Sequence, residues 1–174
     1  MSALVTRIRA RGGTVVRLAG VLDEVFDPAD ISGDTGIVIF DLEEVRRVTS
    51  SGVKQWITGL QQLAADYYCF VRCHPPVVAQ FNMVNGFAVD GELVTLYAPF
   101  TCTRCESATE SLIDLRRRNT LQEILDGASV GCPNCASTAT FDDIVELYFR
   151  FALSTRRPSP PASASAIIDG MARH

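Results

Sequence analysis

The chain is short of the residues on which several kinds of activity depend. It has two histidines, His74 and His174, and the second lies in the extreme tail, so no Ser-His-Asp arrangement for acyl transfer can be assembled. No GxxxxGK[ST] loop is present to cradle a nucleotide phosphate. No window approaches the roughly 18 to 20 consecutive apolar residues of a membrane span, and Arg7, Arg9 and Arg11 interrupt the amino-terminal apolar run. These absences predict a soluble, cytoplasmic protein with no export signal, no membrane partner and no enzymatic activity. Lysine is also scarce, with one residue against fifteen arginines, and the basic side chains are scattered in a chain of formal net charge -4. No broad positive surface is available to track phosphates, which argues against a nucleic-acid partner.

What is present suffices for one ordinary core. In 174 residues, 47% are hydrophobic, enough to bury a main domain with a small metal-stabilised appendage. Six cysteines would suit three disulfides in a secreted protein. Their paired CxxC spacing, without an export signal, reads better as metal ligation in a reducing compartment.

Two β-rich segments, residues 3 to 9 and 14 to 22, flank Gly12-Gly13 and predict a hairpin. Residues 24 to 36 carry turn chemistry and room for one helical turn at most. Ile37 to Phe40 is apolar on both faces, as a central strand covered on two sides would be. After Ser50-Ser51-Gly52, apolar residues at Val53, Trp56, Ile57, Leu60 and Leu63 fall at helical spacing behind a serine cap. A strand at Tyr67 to Arg72 follows, then a helix opened by Pro75-Pro76 with Val77, Phe81 and Val84 on one face, ended by Gly86. Leu93 to Ala98 predicts one more strand. Thr140 to Leu153 reads as a final helix capped by Thr140, and the Pro-, Ser- and Ala-rich stretch from Thr155 as a disordered tail. The expected class is α/β with a mixed sheet over residues 1–98. A CxxC/CxxC zinc-ribbon module then spans 99–139, a helix over 140–154 packs on the sheet domain, and the tail occupies 155–174.

The sharpest chemical signal is Cys102, Cys105, Cys132 and Cys135. Two residues between cysteines let both sulfurs of a turn face one ion, and two such turns supply four soft thiolates at tetrahedral corners. Pro133 and Asn134 suit a tight knuckle. The set predicts one structural zinc per chain, with a dithiol redox pair and an iron site as the competing assignments. Arg116-Arg117-Arg118 resembles a basic patch, but residues 102 to 135 hold four arginines against five acids, and a zinc tetrathiolate adds further negative charge. Cys69, Cys73 and His74 fall outside the spacing and read as buried cysteines and a strand-end histidine.

At Val48 to Gly52 a strand hands over to a helix. Read together, GTVVRLAGVLD (13 to 23), IVIFDLEEVRRVTSSGVKQW (37 to 56) and FVRCHPPVVAQFNMVNGF (70 to 87) resemble the STAS family of sulphate transporters and anti-sigma factor antagonists. The likeness covers residues 1 to about 98. It implies a STAS-like domain whose G-x-L-D element ends at Asp23, and whose D-S-S-G turn is Thr49, Ser50, Ser51 and Gly52. Ser50 takes the phosphoacceptor position. The implied function is binding without catalysis in a bacterial partner-switching or signalling pathway, the partner being a GHKL-type kinase, an anti-sigma factor or another signalling protein. Two features depart from the family: Thr49 stands where an aspartate is usual, and the segment between Asp23 and Ile37 is too short for a full first helix. The alternative function is a structural or assembly subunit that forms a homo-oligomer or scaffold through the STAS-like domain and the ribbon.

Overall fold

The computed structural model describes residues 3–117, 120–127 and 129–171. Arg118 and His174 lie outside the described residues. The first sheet begins with a hairpin of β1 (Leu4–Ala10) and β2 (Gly13–Leu22), turned by Gly12 at φ +97°. The chain continues through α1 (Ala29–Ser32), β3 (Thr35–Val48), α2 (Ser50–Gln62), β4 (Ala64–Val71), α3 (Pro75–Met83) and β5 (Glu92–Leu93). The strand order is β1-β2-β3-β4-β5, antiparallel in the hairpin and parallel from β2 onward.

Strand side chains alternate between two faces, and both faces of this sheet are covered. Val16, Leu18, Val38, Phe40 and Phe70 point into one core with Trp56, Leu60, Val77 and Phe81 from α2 and α3. Val15, Ile39, Cys69 and Val71 point the other way, beneath Ala164 and Ile168 of α7 (Ala162–Met171). The continuous apolar run Ile37 to Phe40 is thereby explained: successive residues serve opposite cores.

The expected disordered tail is therefore corrected, because residues 162–171 form a helix. Its alanines favour helix, and Ala164 and Ile168, one turn apart, supply the narrow stripe that the second face needs. The single strand expected at Leu93 to Ala98 is also corrected. Val94 donates its N–H to Phe70 O while its own carbonyl accepts from Leu115, and there the chain passes from one sheet to the next. The boundary at residue 98 falls inside β6 (Thr95–Cys102).

The second sheet has the order β7-β6-β9-β8, with β7 at Ala108–Asp114, β8 at Val130–Gly131 and β9 at Thr138–Phe141, every pair antiparallel. A short helix α4 (Thr120–Leu125) lies between β7 and β8. Thr140, expected as a helix cap, sits in β9 opposite Thr101, where a β-branched residue packs well. The expected helix over 140–154 is instead two short ones, α5 (Val145–Tyr148) and α6 (Arg150–Ser154), divided at Phe149. Phe149 is 1% exposed and Tyr148 is buried beside it, whereas Leu147 is 56% exposed. The ring of Phe151 packs tilted against that of Phe81 with centroids 5.1 Å apart, and Asn82 ties α3 to this segment by donating to Tyr148 O and accepting from Phe151 N–H. Among the described residues, no helix is long and apolar enough to cross a membrane.

Candidate metal centre and serine turn

Cys102 ends β6 and Cys132 follows β8, so the ribbon brings two turns together at one end of the second sheet. The sequence of each turn is Cys-x-x-Cys-x-Ser, and the backbones match. In the first, Cys102 N–H donates to Ser107 O and Glu106 N–H to Cys102 O. In the second, Cys132 N–H donates to Ser137 O and Ala136 N–H to Cys132 O. Glu106 and Ala136 occupy the same left-handed conformation, φ +55° and +56°, which non-glycine residues adopt at a cost. Thr103 N–H and Oγ1 both reach Thr138 O, fastening one turn to the other.

The four sulfurs lie within 4.8 Å of one another, with Cys102–Cys135 at 3.5 Å and Cys105–Cys132 at 3.7 Å. A tetrahedron with metal–sulfur bonds of about 2.3 Å has edges of about 3.8 Å, so the donor set fits a tetrathiolate ion. Four thiols this close cannot all ionise without a cation. Ser107 Oγ, 3.4 Å from Cys132 Sγ, leads the interactions that lower that thiol to about 6. For Cys135 the Ser137 amide favours the thiolate, but hydrogen bonding with Cys102, burial, and the contacts with Cys105 and Cys132 outweigh it and push the thiol to about 12. Arg104 N–H points at Cys102 Sγ from 3.4 Å, and Ser107 Oγ stands 3.0 Å from Cys105 Sγ. Such donors drain charge from thiolates and orient them. Ser107 was not singled out among the sequence candidates, although the repeated Cys-x-x-Cys-x-Ser spacing marks it. Cys102 and Cys132 are buried and Cys105 is exposed.

Cys69 and Cys73 are buried, each with its thiol pKa raised first by desolvation, Cys69 to about 12. His74 occupies the N-cap position of α3 without a side-chain capping bond, stacks 4.6 Å from Tyr97 and places Nδ1 3.2 Å from Glu110.

The second group of sequence candidates gathers at the far end of β2. Thr49, not a serine, caps α2: its Oγ1 accepts from Gly52 N–H at 3.1 Å. Its backbone N–H donates to Leu22 O at 2.9 Å, and its hydroxyl lies 3.3 Å from the same oxygen. Ser50 is the first helical residue, and both Ser50 and Ser51 are exposed. Asp23 follows Leu22 directly and accepts from Val25 N–H at 3.1 Å. The turn of residues 49 to 52 and the end of the G-x-L-D element thus share one hydrogen-bonded corner.

An ionic cluster that sequence reading missed lies on β3. Asp41 is fully buried; Arg17 Nε reaches it at 2.9 Å, and Arg72, held at φ +52°, clasps it through Nε and Nη2. Burial works against the charge of Arg72, but Asp41 and Glu43 outweigh it and raise its pKa. An acid directly after the apolar run Ile37 to Phe40, within the strand, is the available signal.

No protein-family model matches the chain, and no curated protein matches it.

Proposed function

We propose that Cys102, Cys105, Cys132 and Cys135 hold one structural zinc per chain. On this reading the chain is a non-enzymatic, STAS-type protein-binding module of a bacterial partner-switching pathway in the cytoplasm. Four protein thiolates fill a tetrahedral ion and leave no open position for substrate, so the metal's part is to stabilise the ribbon. The observation that carries the binding reading is Ser50. Its exposed side chain opens a 13-residue helix on a turn fixed to the end of β2 through Leu22. An exposed hydroxyl at a helix start can carry a phosphate at little cost to the fold, since the positive end of the helix dipole favours an anion there. A partner docked over Ser50, Ser51 and Asp23, with buried Gly52 shaping the turn beneath them, would meet about two added negative charges on phosphorylation. The kinds of partner this resemblance implies are a GHKL-type kinase or an anti-sigma factor. The test is to purify the chain from its native cells and map phosphorylation by mass spectrometry. Phosphate on Ser50 supports the reading, and a chain unmodified there under all growth conditions counts against switching.

A second reading, as an assembly subunit, is favoured by Met83, Ile144 and Leu147. These are exposed apolar residues at the adjoining ends of α3 and α5. A concentration-independent oligomer in sedimentation, dissolved by Leu147→Glu, supports it over the first.

A further inference from the structure

A crevice of about 410 Å³ opens where the first sheet, β7, α4 and α7 meet, just beyond the carboxyl end of β4. That volume sits in the lower part of the roughly 300–1,000 Å³ range of small-molecule sites, and the carboxyl ends of parallel strands are where open α/β sheets place ligands. Leu112, Ile168 and Met171 form an apolar side, and the charged part of the lining is Arg72, Arg116 and Arg117 with the carboxylates of Asp114 and Glu123.

The three guanidiniums are not equally committed. Arg72 is taken up by buried Asp41 and by Glu43. Arg116 chelates Asp114 and extends to Asp169 of α7 at 2.7 Å. Arg117 reaches Asp114 only at 3.8 Å, an oxygen Arg116 already holds at 2.7 Å, and its side chain is 79% exposed. One lining cation is therefore weakly matched, next to a hydrophobic wall that two residues of the terminal helix help to build.

We propose that this crevice binds a small organic anion, its charged group on Arg117 and its apolar body against Leu112, Ile168 and Met171, and that occupancy tightens the docking of α7. The coupling follows from geometry: a molecule touching both β7 and α7 interacts with the docked helix and loses that contact when the helix leaves. Helix docking and ligand affinity must then strengthen each other by the same factor. This inference does not depend on the Ser50 reading.

Phenyl phosphate is a suitable probe, titrated into the full chain and followed by amide chemical shifts, with benzoate as the carboxylate arm and inorganic phosphate and benzyl alcohol as single-feature controls. The expected result is saturable movement of Val71, Thr95, Leu112 and Ile168 resonances, with each control at least about tenfold weaker. Arg117→Gln, at an exposed position, should weaken phenyl phosphate by about tenfold with an unchanged melting temperature, and Leu112→Trp should fill the crevice and abolish binding. Met171→Ala should weaken binding several-fold, and bound probe should slow hydrogen exchange at Ile167 and Ile168. Absence of saturable shifts at these residues with both organic anions, or equal binding by wild type, Arg117→Gln and Leu112→Trp, overturns the site. Binding with no change in exchange at Ile167 and Ile168 overturns the coupling.

Discussion

A side-chain carbon added at Gly52 would stand 2.0 Å from the carbonyl oxygen of Leu22. The first turn of α2 rests directly on the end of β2, and only a residue without Cβ permits it. This close approach fixes the backbone of the turn that carries Ser50, and it predicts an unequal response across the turn. Gly52→Ala should cost roughly 3 kcal/mol or more, since backbone must move on both sides of the contact. Thr49→Ala, which removes the cap, should cost about 1 kcal/mol. Ser50→Ala, at an exposed position, should stay within about 0.5 kcal/mol. Urea denaturation of the three variants checks the order.

The metal centre predicts a particular count of reactive thiols. Purified protein should contain one zinc per chain, and Cys132→Ser should lose it and loosen the ribbon. With zinc bound, native protein should resist alkylation at all six cysteines. After chelation only the four ligands should react readily, because burial holds Cys69 and Cys73 as protonated thiols. Ser107→Ala should speed zinc loss to a chelator by tenfold or more, since its hydroxyl serves sulfurs of both turns. Intact-mass measurement with and without chelator reads all of this.

Packing of the segment after β9 separates adjacent residues. Phe149→Ala should cost about 3–5 kcal/mol, whereas Leu147→Ala should change stability by less than about 0.5 kcal/mol. Deleting residues 140–174 should give insoluble protein. Deleting 156–174 should also destabilise, because it bares Val15, Ile39, Cys69 and Val71. Equal stability of the shorter truncation and the full chain would contradict the place given to α7.

Docking of α7 should weaken in acid. Burial alone would raise the pKa of Asp114, but its hydrogen bonds and charge contact with Arg116 outweigh burial and lower it. A depressed folded value means the stabilisation is fully present above the unfolded carboxylate range near 4 and is lost as pH falls through the lower folded value. Protection factors at Ile167 and Ile168, corrected for the intrinsic pH dependence of amide exchange, should therefore fall below about pH 4. Arg116→Gln should remove most of that dependence.

How much was legible follows from where each signal lies. The β1–β2 hairpin, the helix behind residues 49 to 52 and the two cysteine turns are written in adjacent residues, as alternation, helical spacing and CxxC. The split of Leu93 to Ala98 between two sheets is not, because Val94 is claimed by Phe70 and Leu115, partners distant in sequence. α7 hid for a similar reason. A stripe of Ala164 and Ile168 in a Pro- and Ser-rich stretch is too weak to fold alone, and it becomes a helix against a sheet face that already needs cover. Thr49 departs from the resembled motif, and its local chemistry as a cap lies one residue before the serines to which the sequence pattern assigns that part.

The most direct test of the account is recovery of partners from native cells by tagged wild type, Ser50→Ala and Ser50→Asp, quantified by mass spectrometry alongside each variant's melting temperature. Three equally stable proteins are expected, with a partner recovered by wild type and Ser50→Ala and reduced at least tenfold with Ser50→Asp. The same partner recovered equally by all three would contradict it.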